Sequence, residues 1–254
     1  GGSATVHFPI WHQEIEDIIV LKNNKGTEDN RVRKLDYSIQ ISKIFYERFI
    51  NNEDITLFSP HDVPGLYDAF GTPDFDDLYK RYESDGSIPK KTIGGQELLL
   101  DLLKERAETG RVYIMNIDHC NEHSSFKDKV YMSNLCQEIT LPTKPLQHID
   151  DQDGEIALCI LSAVNVGKVT KTEELEEICD LAVRGLEELI DYQEYPVEAA
   201  KQSTLNRRSL GIGYIGLAHY LAKQGEHYDD PKAWKLVHDL SESFQYYLLK
   251  SSNT

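Results

Sequence analysis

The sequence predicts an α/β fold, because long amphipathic stretches with helical spacing alternate with short β-like runs. Two successions carry this reading. The stretch from Gln96 to Glu108, with LLLDLLKERAE, is a strong helix stopped by Gly110, and the β-like RVYIMNID follows directly. Further on, the β-like EIALCILSAVNVG precedes ELEEICDLAVRGLEELID, residues 174 to 191, a helix with an apolar stripe.

Taken in order, Trp11, Ile15, Ile18 and Ile19 recur at helical spacing between Pro9 and Leu21, and KNNKG closes that segment. Tyr37, Ile41, Ile44, Phe45 and Phe49 predict a second helical stripe, followed by a short strand in DITLFSP. The helix at 174 to 191 carries Leu175, Ile178, Cys179, Ala182, Leu186 and Leu189 on one face, which makes Cys179 a small core residue. A last helix from about Lys232 to Leu249 turns Trp234, Val237, Leu240, Phe244, Tyr247 and Leu248 inward. No internal repeat or low-complexity tract interrupts this order.

At 254 residues the chain is long enough for a sizeable core. Lys plus Arg number 27 against 43 Asp plus Glu, a net charge of −16, and no basic cluster rises from that background. Nucleic-acid binding is not expected, since it needs a cationic surface to displace counterions. Apolar runs such as IALCILSAV are about half the length that crosses a bilayer, and no signal-peptide pattern opens the chain. A cytoplasmic, membrane-free protein is expected. The opening Gly-Gly-Ser-Ala and the SSNT that follows an apolar helix read as the edges of a piece of something longer. Four cysteines, Cys120, Cys136, Cys159 and Cys179, are too few and too dispersed for a disulfide scaffold.

Residues 133 to 139, SNLCQEI, are unusual. If extended, they put Asn134, Cys136 and Glu138 on one face and Leu135, Gln137 and Ile139 on the other. A thiol between an amide and a carboxylate looks like a site facing away from packing. A nearby carboxylate raises a thiol's pKa, which argues against a simple thiolate nucleophile but not against a thiol that gives up a hydrogen atom. Pro142, Pro145 and the acidic turn IDDQDGE separate this stretch from the run containing Cys159, so the two cysteines are expected on neighbouring extended pieces of one cavity.

Two other motifs are weaker. LGIGYIG places Gly211, Gly213 and Gly216 in dinucleotide-fingerprint spacing, but STLNRRS precedes it where a buried strand is needed, so helix packing through small residues is favoured. DHCNEH offers His119, Cys120 and His123 as half a zinc site with no second pair of ligands elsewhere, so local hydrogen bonding is favoured and no metal is assigned.

SNLCQEITLPTKP resembles the active-site loop of the large, catalytic subunit of class I ribonucleotide reductase. GGSATVHFPIWHQEIEDIIVLKNNKG, DITLFSPHDVPGLYDAF, TGRVYIMNIDHCN, GEIALCILSAVNVG and RRSLGIG extend the resemblance through essentially all of the chain. It implies that residues 1–254 form part of a ten-stranded α/β barrel, with Cys136 at the tip of an internal loop and a ribonucleoside diphosphate as substrate. Cys136 would be the transient thiyl radical, Glu138 the general base at the 3′-hydroxyl, and Asn134 a hydrogen-bonding partner of the sugar hydroxyls. Cys159 matches one member of the redox pair, whose partner is absent from the chain. Gly1 and Gly2 match the end of a loop that relays allosteric specificity. The resemblance also implies a metal-containing, radical-generating small subunit, a second large subunit forming a homodimer, nucleotide effectors and a thioredoxin- or glutaredoxin-type reductant. No cofactor is expected on this chain, which would be inactive in isolation. The alternatives are a cobalamin-dependent reductase with similar thiols and a non-catalytic assembly module from a split or truncated reductase gene.

Overall fold

The computed structural model describes residues 2–254, which divide into two compact units, 2–143 and 144–254. The first unit begins with β1 (Thr5–Pro9), a short helix α1 (Ile15–Ile19) and a 3₁₀ turn. After β2 (Asp36–Ile41) come α2 (Lys43–Asn51), β3 (Asp54–Leu57), α3 (Leu66–Ala69) and α4 (Phe75–Ser84). The unit continues with β4 (Lys91–Gly94), α5 (Gly95–Thr109), β5 (Val112–Asn116) and α6 (Ile117–Glu122). β1, β2 and β5 form a parallel sheet in that order, and β3 and β4 an antiparallel pair.

Strand β2, DYSIQI, organises this unit because it is buried on both faces. Its odd positions, Tyr37, Ile39 and Ile41, join an apolar core with Trp11, Phe45, Phe58, Phe70, Phe75 and Tyr79. The rings there meet mostly edge to face, Phe45 and Tyr79 with centroids 5.3 Å apart, the arrangement that aromatic quadrupoles favour. The even positions, Ser38 and Gln40, are equally buried on the opposite face. The register sets His7 and Tyr113 beside Ser38, and Pro9 and Met115 beside Gln40, so one face of the sheet is largely polar.

The second unit contains β6 (Ile160–Asn165), α7 (Glu174–Tyr192), α8 (Glu198–Arg207), β7 (Leu210–Ile215), α9 (Leu217–Lys223) and α10 (Pro231–Ser252). β6 and β7 pair in parallel, and Val164, Val166, Leu175, Cys179, Leu240 and Phe244 form the core. Burial pushes the Cys179 thiol up to about 11, as suits an inert core residue. Burial alone would raise the Glu155 pKa, but the hydrogen bonds and charges of Lys144 and Arg207 together outweigh it and hold the carboxyl below its usual value. Among the described residues no helix is long and apolar enough to cross a membrane.

Several elements differ from the sequence expectations. The helix expected from Pro9 to Leu21 is only Ile15–Ile19, because Pro9 ends β1; Trp11 is nevertheless fully buried. The stripe from Tyr37 to Phe49 is a strand followed by a helix, since a spacing of four satisfies both a period of two and a period near 3.6. In α7 Leu175, Cys179 and Leu186 are buried as expected and Val183 and Ile190 join them, while Leu189 is exposed. Trp234 lies outside the α10 packing, its indole N–H donating to the Tyr228 carbonyl at 2.9 Å. Gly211 and Gly213 lie inside β7 instead of in a helix contact or phosphate loop, and Gly216 is the left-handed cap of α9.

Candidate active site

The polar face of the first sheet is covered by the segment running from Lys129 to Ile139. At its start Asn121 fastens Val130 from both sides, accepting from its N–H at 2.8 Å and donating to its carbonyl at 3.0 Å. Lys129 donates to the Tyr67 and Asp68 carbonyls and lies 4.3 Å from the centre of the Tyr131 ring, which stacks on Tyr67. Burial brings the Lys129 ammonium down to about 8. The Gln40 carboxamide then donates to the Tyr131 carbonyl at 2.6 Å, which satisfies a polar side chain that is almost wholly buried. His7 lies beneath Ser133, and its burial lowers the imidazole pKa, so it is neutral near pH 7.

Residues 134 to 137 form a tight turn, closed by the Gln137 N–H donating to the Asn134 carbonyl at 3.2 Å. Asn134 also uses its side-chain oxygen, which accepts from Ile139 N–H at 3.3 Å and from the Ser133 hydroxyl at 3.2 Å. The Asn134 amide nitrogen has no hydrogen-bond partner among the described residues. Gln137 has φ +59°, in the left-handed region that L-residues rarely adopt. Either side of the cysteine, the turn is tied down. The Thr5 hydroxyl donates to the Leu135 carbonyl at 2.6 Å, and the Gln137 carboxamide accepts from Ser38 at 2.5 Å and donates to the Ile114 carbonyl at 2.8 Å.

This geometry corrects the expectation of an extended SNLCQEI with alternating faces. Asn134, Cys136 and Glu138 are all exposed, as expected of a site, but the chain reverses at Leu135 and Cys136. Leu135 is 37% exposed, so it is not the packed residue, and Gln137 takes that place. Sequence reasoning missed Gln137, Ser38 and Thr5. The period-two polar positions of DYSIQI were the available signal, and they fell within a stretch read as helix.

The other expected positions are placed as follows. Cys159 is partly buried in the second unit, immediately before β6. Gly2 is exposed ahead of β1, and Gly1 lies outside the described residues. In DHCNEH the rings of His119 and His123 stand 5.8 Å apart, and burial and the Asp118 charge push the Cys120 thiol pKa up. Among the described residues no group of three or more His, Cys, Asp or Glu could hold a metal ion.

A free thiol offered on a turn, above the polar face of a parallel sheet, defines a class: α/β domains that present an exposed cysteine from a loop. The model of the ribonucleotide reductase barrel domain matches residues 1–254, and the chain belongs to that family. It is 58% identical to the ribonucleoside-diphosphate reductase subunit alpha of Haemophilus influenzae, over 99% of this chain and 34% of that protein. Against subunit alpha of reductase 1 of Escherichia coli the identity is 55%, over 100% of this chain and 34% of the relative. The large subunit from Arabidopsis thaliana is 31% identical, over 99% and 33%. The chain therefore spans about a third of the length of the curated relatives it matches.

Proposed function

We propose that this chain is the catalytic segment of a class I reductase large subunit, which reduces ribonucleoside diphosphates to deoxyribonucleoside diphosphates for DNA synthesis. The observation that carries the reading is the exposed Cys136, held at a turn anchored on both sides, in a chain matched along its whole length by the reductase barrel family. The parallel strands β1, β2 and β5, and β6 with β7, are then arcs of a ten-stranded barrel with the Cys136 turn inside it.

In this reading Cys136 carries the radical transiently. Its sulfur takes the hydrogen atom from C3′ of the ribose, so an S–H bond forms, a C–H bond breaks and the unpaired electron moves to C3′. Glu138 accepts the 3′-hydroxyl proton as general base. The free amide donors of Asn134 suit the neighbouring hydroxyl oxygens. The 2′-hydroxyl leaves as water after protonation by a thiol. The two electrons come from Cys159 and a second cysteine outside this chain, which close a disulfide, and a thioredoxin- or glutaredoxin-type dithiol reopens it. The sulfur finally returns the hydrogen to C3′.

A metal-containing small subunit supplies the radical in this proposal, and a second large subunit, nucleotide effectors acting through a loop that ends near Gly2, and a cytoplasmic setting complete it. The test is Cys136→Ser in the complete large subunit with its small subunit, substrate and reductant. Deoxynucleotide formation should vanish while substrate binding persists; turnover within roughly tenfold of wild type, a barrier change of only about 1.4 kcal/mol, would sink the assignment.

A further inference from the structure

Hydrogen-atom transfer depends steeply on the distance and direction between sulfur and carbon, yet Cys136 is exposed and sits on a turn. Something must hold it. The residue after it adopts a left-handed backbone, which an L side chain sustains only where its surroundings over-determine it. That residue is Gln137, and its carboxamide spends both ends on the sheet: Oε1 accepts from Ser38 Oγ on β2 at 2.5 Å, and Nε2 donates to the Ile114 carbonyl on β5 at 2.8 Å. Ser38 is fully buried and cannot follow a moving loop. On the other side of the cysteine, the Leu135 carbonyl is held by Thr5 on β1 at 2.6 Å. The cysteine is thus flanked by residues fixed to three neighbouring strands.

We infer that Gln137 is a positioning residue for Cys136: with Ser38 and the Ile114 carbonyl it forms a clamp that fixes the left-handed turn and thereby the direction of the sulfur. This rests on the function proposed above. The clamp takes no part in bond making. Its loss leaves the thiol chemically unchanged and misdirected, so the hydrogen-abstraction step should suffer while substrate binding does not.

The test uses the complete large subunit assayed with its small subunit, a ribonucleoside diphosphate and a dithiol reductant. Gln137→Leu keeps the bulk and removes both hydrogen bonds; kcat should fall roughly tenfold to a hundredfold, the scale of a misplaced reacting group. Substrate affinity should stay at the wild-type value, and the isotope effect from deuterium at C3′ should rise as abstraction becomes more rate limiting. Ser38→Ala removes one bond and should produce a smaller change in the same direction. The double variant should lose no more than Gln137→Leu alone, since both act through one contact. Ser38→Ala with the isotope measurement also decides the matter if Gln137→Leu does not fold. Unchanged kcat and isotope effect in folded variants, beside an inactive Cys136→Ser, would overturn the clamp and leave the proposed function standing. A fall in kcat with weakened binding and no isotope change would mark a general structural role and overturn it as well. An active Cys136→Ser would instead remove the reading on which the clamp rests.

Discussion

Arg48 and Glu83 face each other through two parallel hydrogen bonds, Nη1 to Oε1 and Nη2 to Oε2, each 2.6 Å long. The Thr56 hydroxyl donates to the same Glu83 oxygen at 2.6 Å, so one carboxylate ties α2, β3 and α4 together. The Arg48 guanidinium lies over the Tyr79 ring at 5.1 Å, and the Tyr79 hydroxyl exchanges hydrogen bonds with the Thr56 backbone at 2.9 and 2.7 Å. Burial alone would raise the Glu83 pKa, but the hydrogen bonds from Arg48 and Thr56 outweigh it and hold the carboxyl below its ordinary value.

Arg48→Met should therefore cost about 2 kcal/mol, less than a fully buried pair because both side chains keep some solvent contact. The pH dependence has a definite sign. A depressed carboxylate pKa contributes stability above the unfolded value, and that contribution disappears as the pH falls through the folded value. Thermal unfolding followed from neutral to acidic pH should show wild type losing its advantage over Arg48→Met below the usual carboxylate range. Parallel curves would exclude the pair as the source.

Lys129 should titrate with a midpoint of about 8, since burial disfavours its charge more than Asp68 restores it. Burying the ammonium is a penalty fully present below about pH 8 and relieved as the pH rises toward the unfolded value. Side-chain NMR should find this midpoint, with the Tyr131 ring signals moving in step because the ammonium lies over that ring. A midpoint near that of a free lysine would contradict the burial described.

Glu138→Gln in the complete subunit should keep the hydrogen-bonding shape and lose the base. The chemical step should slow by roughly a hundredfold or more, the usual scale for such a group. Single-turnover kinetics isolate that step, and an unchanged rate would take Glu138 out of the reaction.

Gly216→Ala should destabilise the protein by roughly 1–3 kcal/mol, because φ is +79° there and an added Cβ would stand 2.5 Å from Asn165 Oδ1. Gly213→Ala is the control, with nothing within 4 Å of the new methyl, and should change stability by less than about 1 kcal/mol. Comparing their unfolding temperatures separates backbone conformation from mere smallness, which the motif LGIGYIG leaves open. Equal effects would contradict the left-handed cap.

The sequence made the longest elements legible, since α5, α7 and α10 carry apolar stripes over three turns or more and α5 ends at a left-handed glycine. β1 escaped notice because TVHFP is short and its register depends on β2, far along the chain. Cys136, Asn134 and Glu138 stood out by residue type alone, yet the turn that carries them did not. It depends on Gln137, an ordinary residue for an exposed loop, and on Ser38, 99 residues earlier, a pairing that local spacing cannot disclose.

The partners of the cysteine turn, Thr5, Ser38, Gln40 and Ile114, all precede it in the chain. A polypeptide made from its N-terminus releases those strands first, and at about 5–20 residues per second they lead the turn by roughly one to a few tens of seconds. The order of synthesis thus matches the order of dependence. When Cys136 leaves the ribosome its seat has already been translated, and the turn that carries it can settle onto a ready surface.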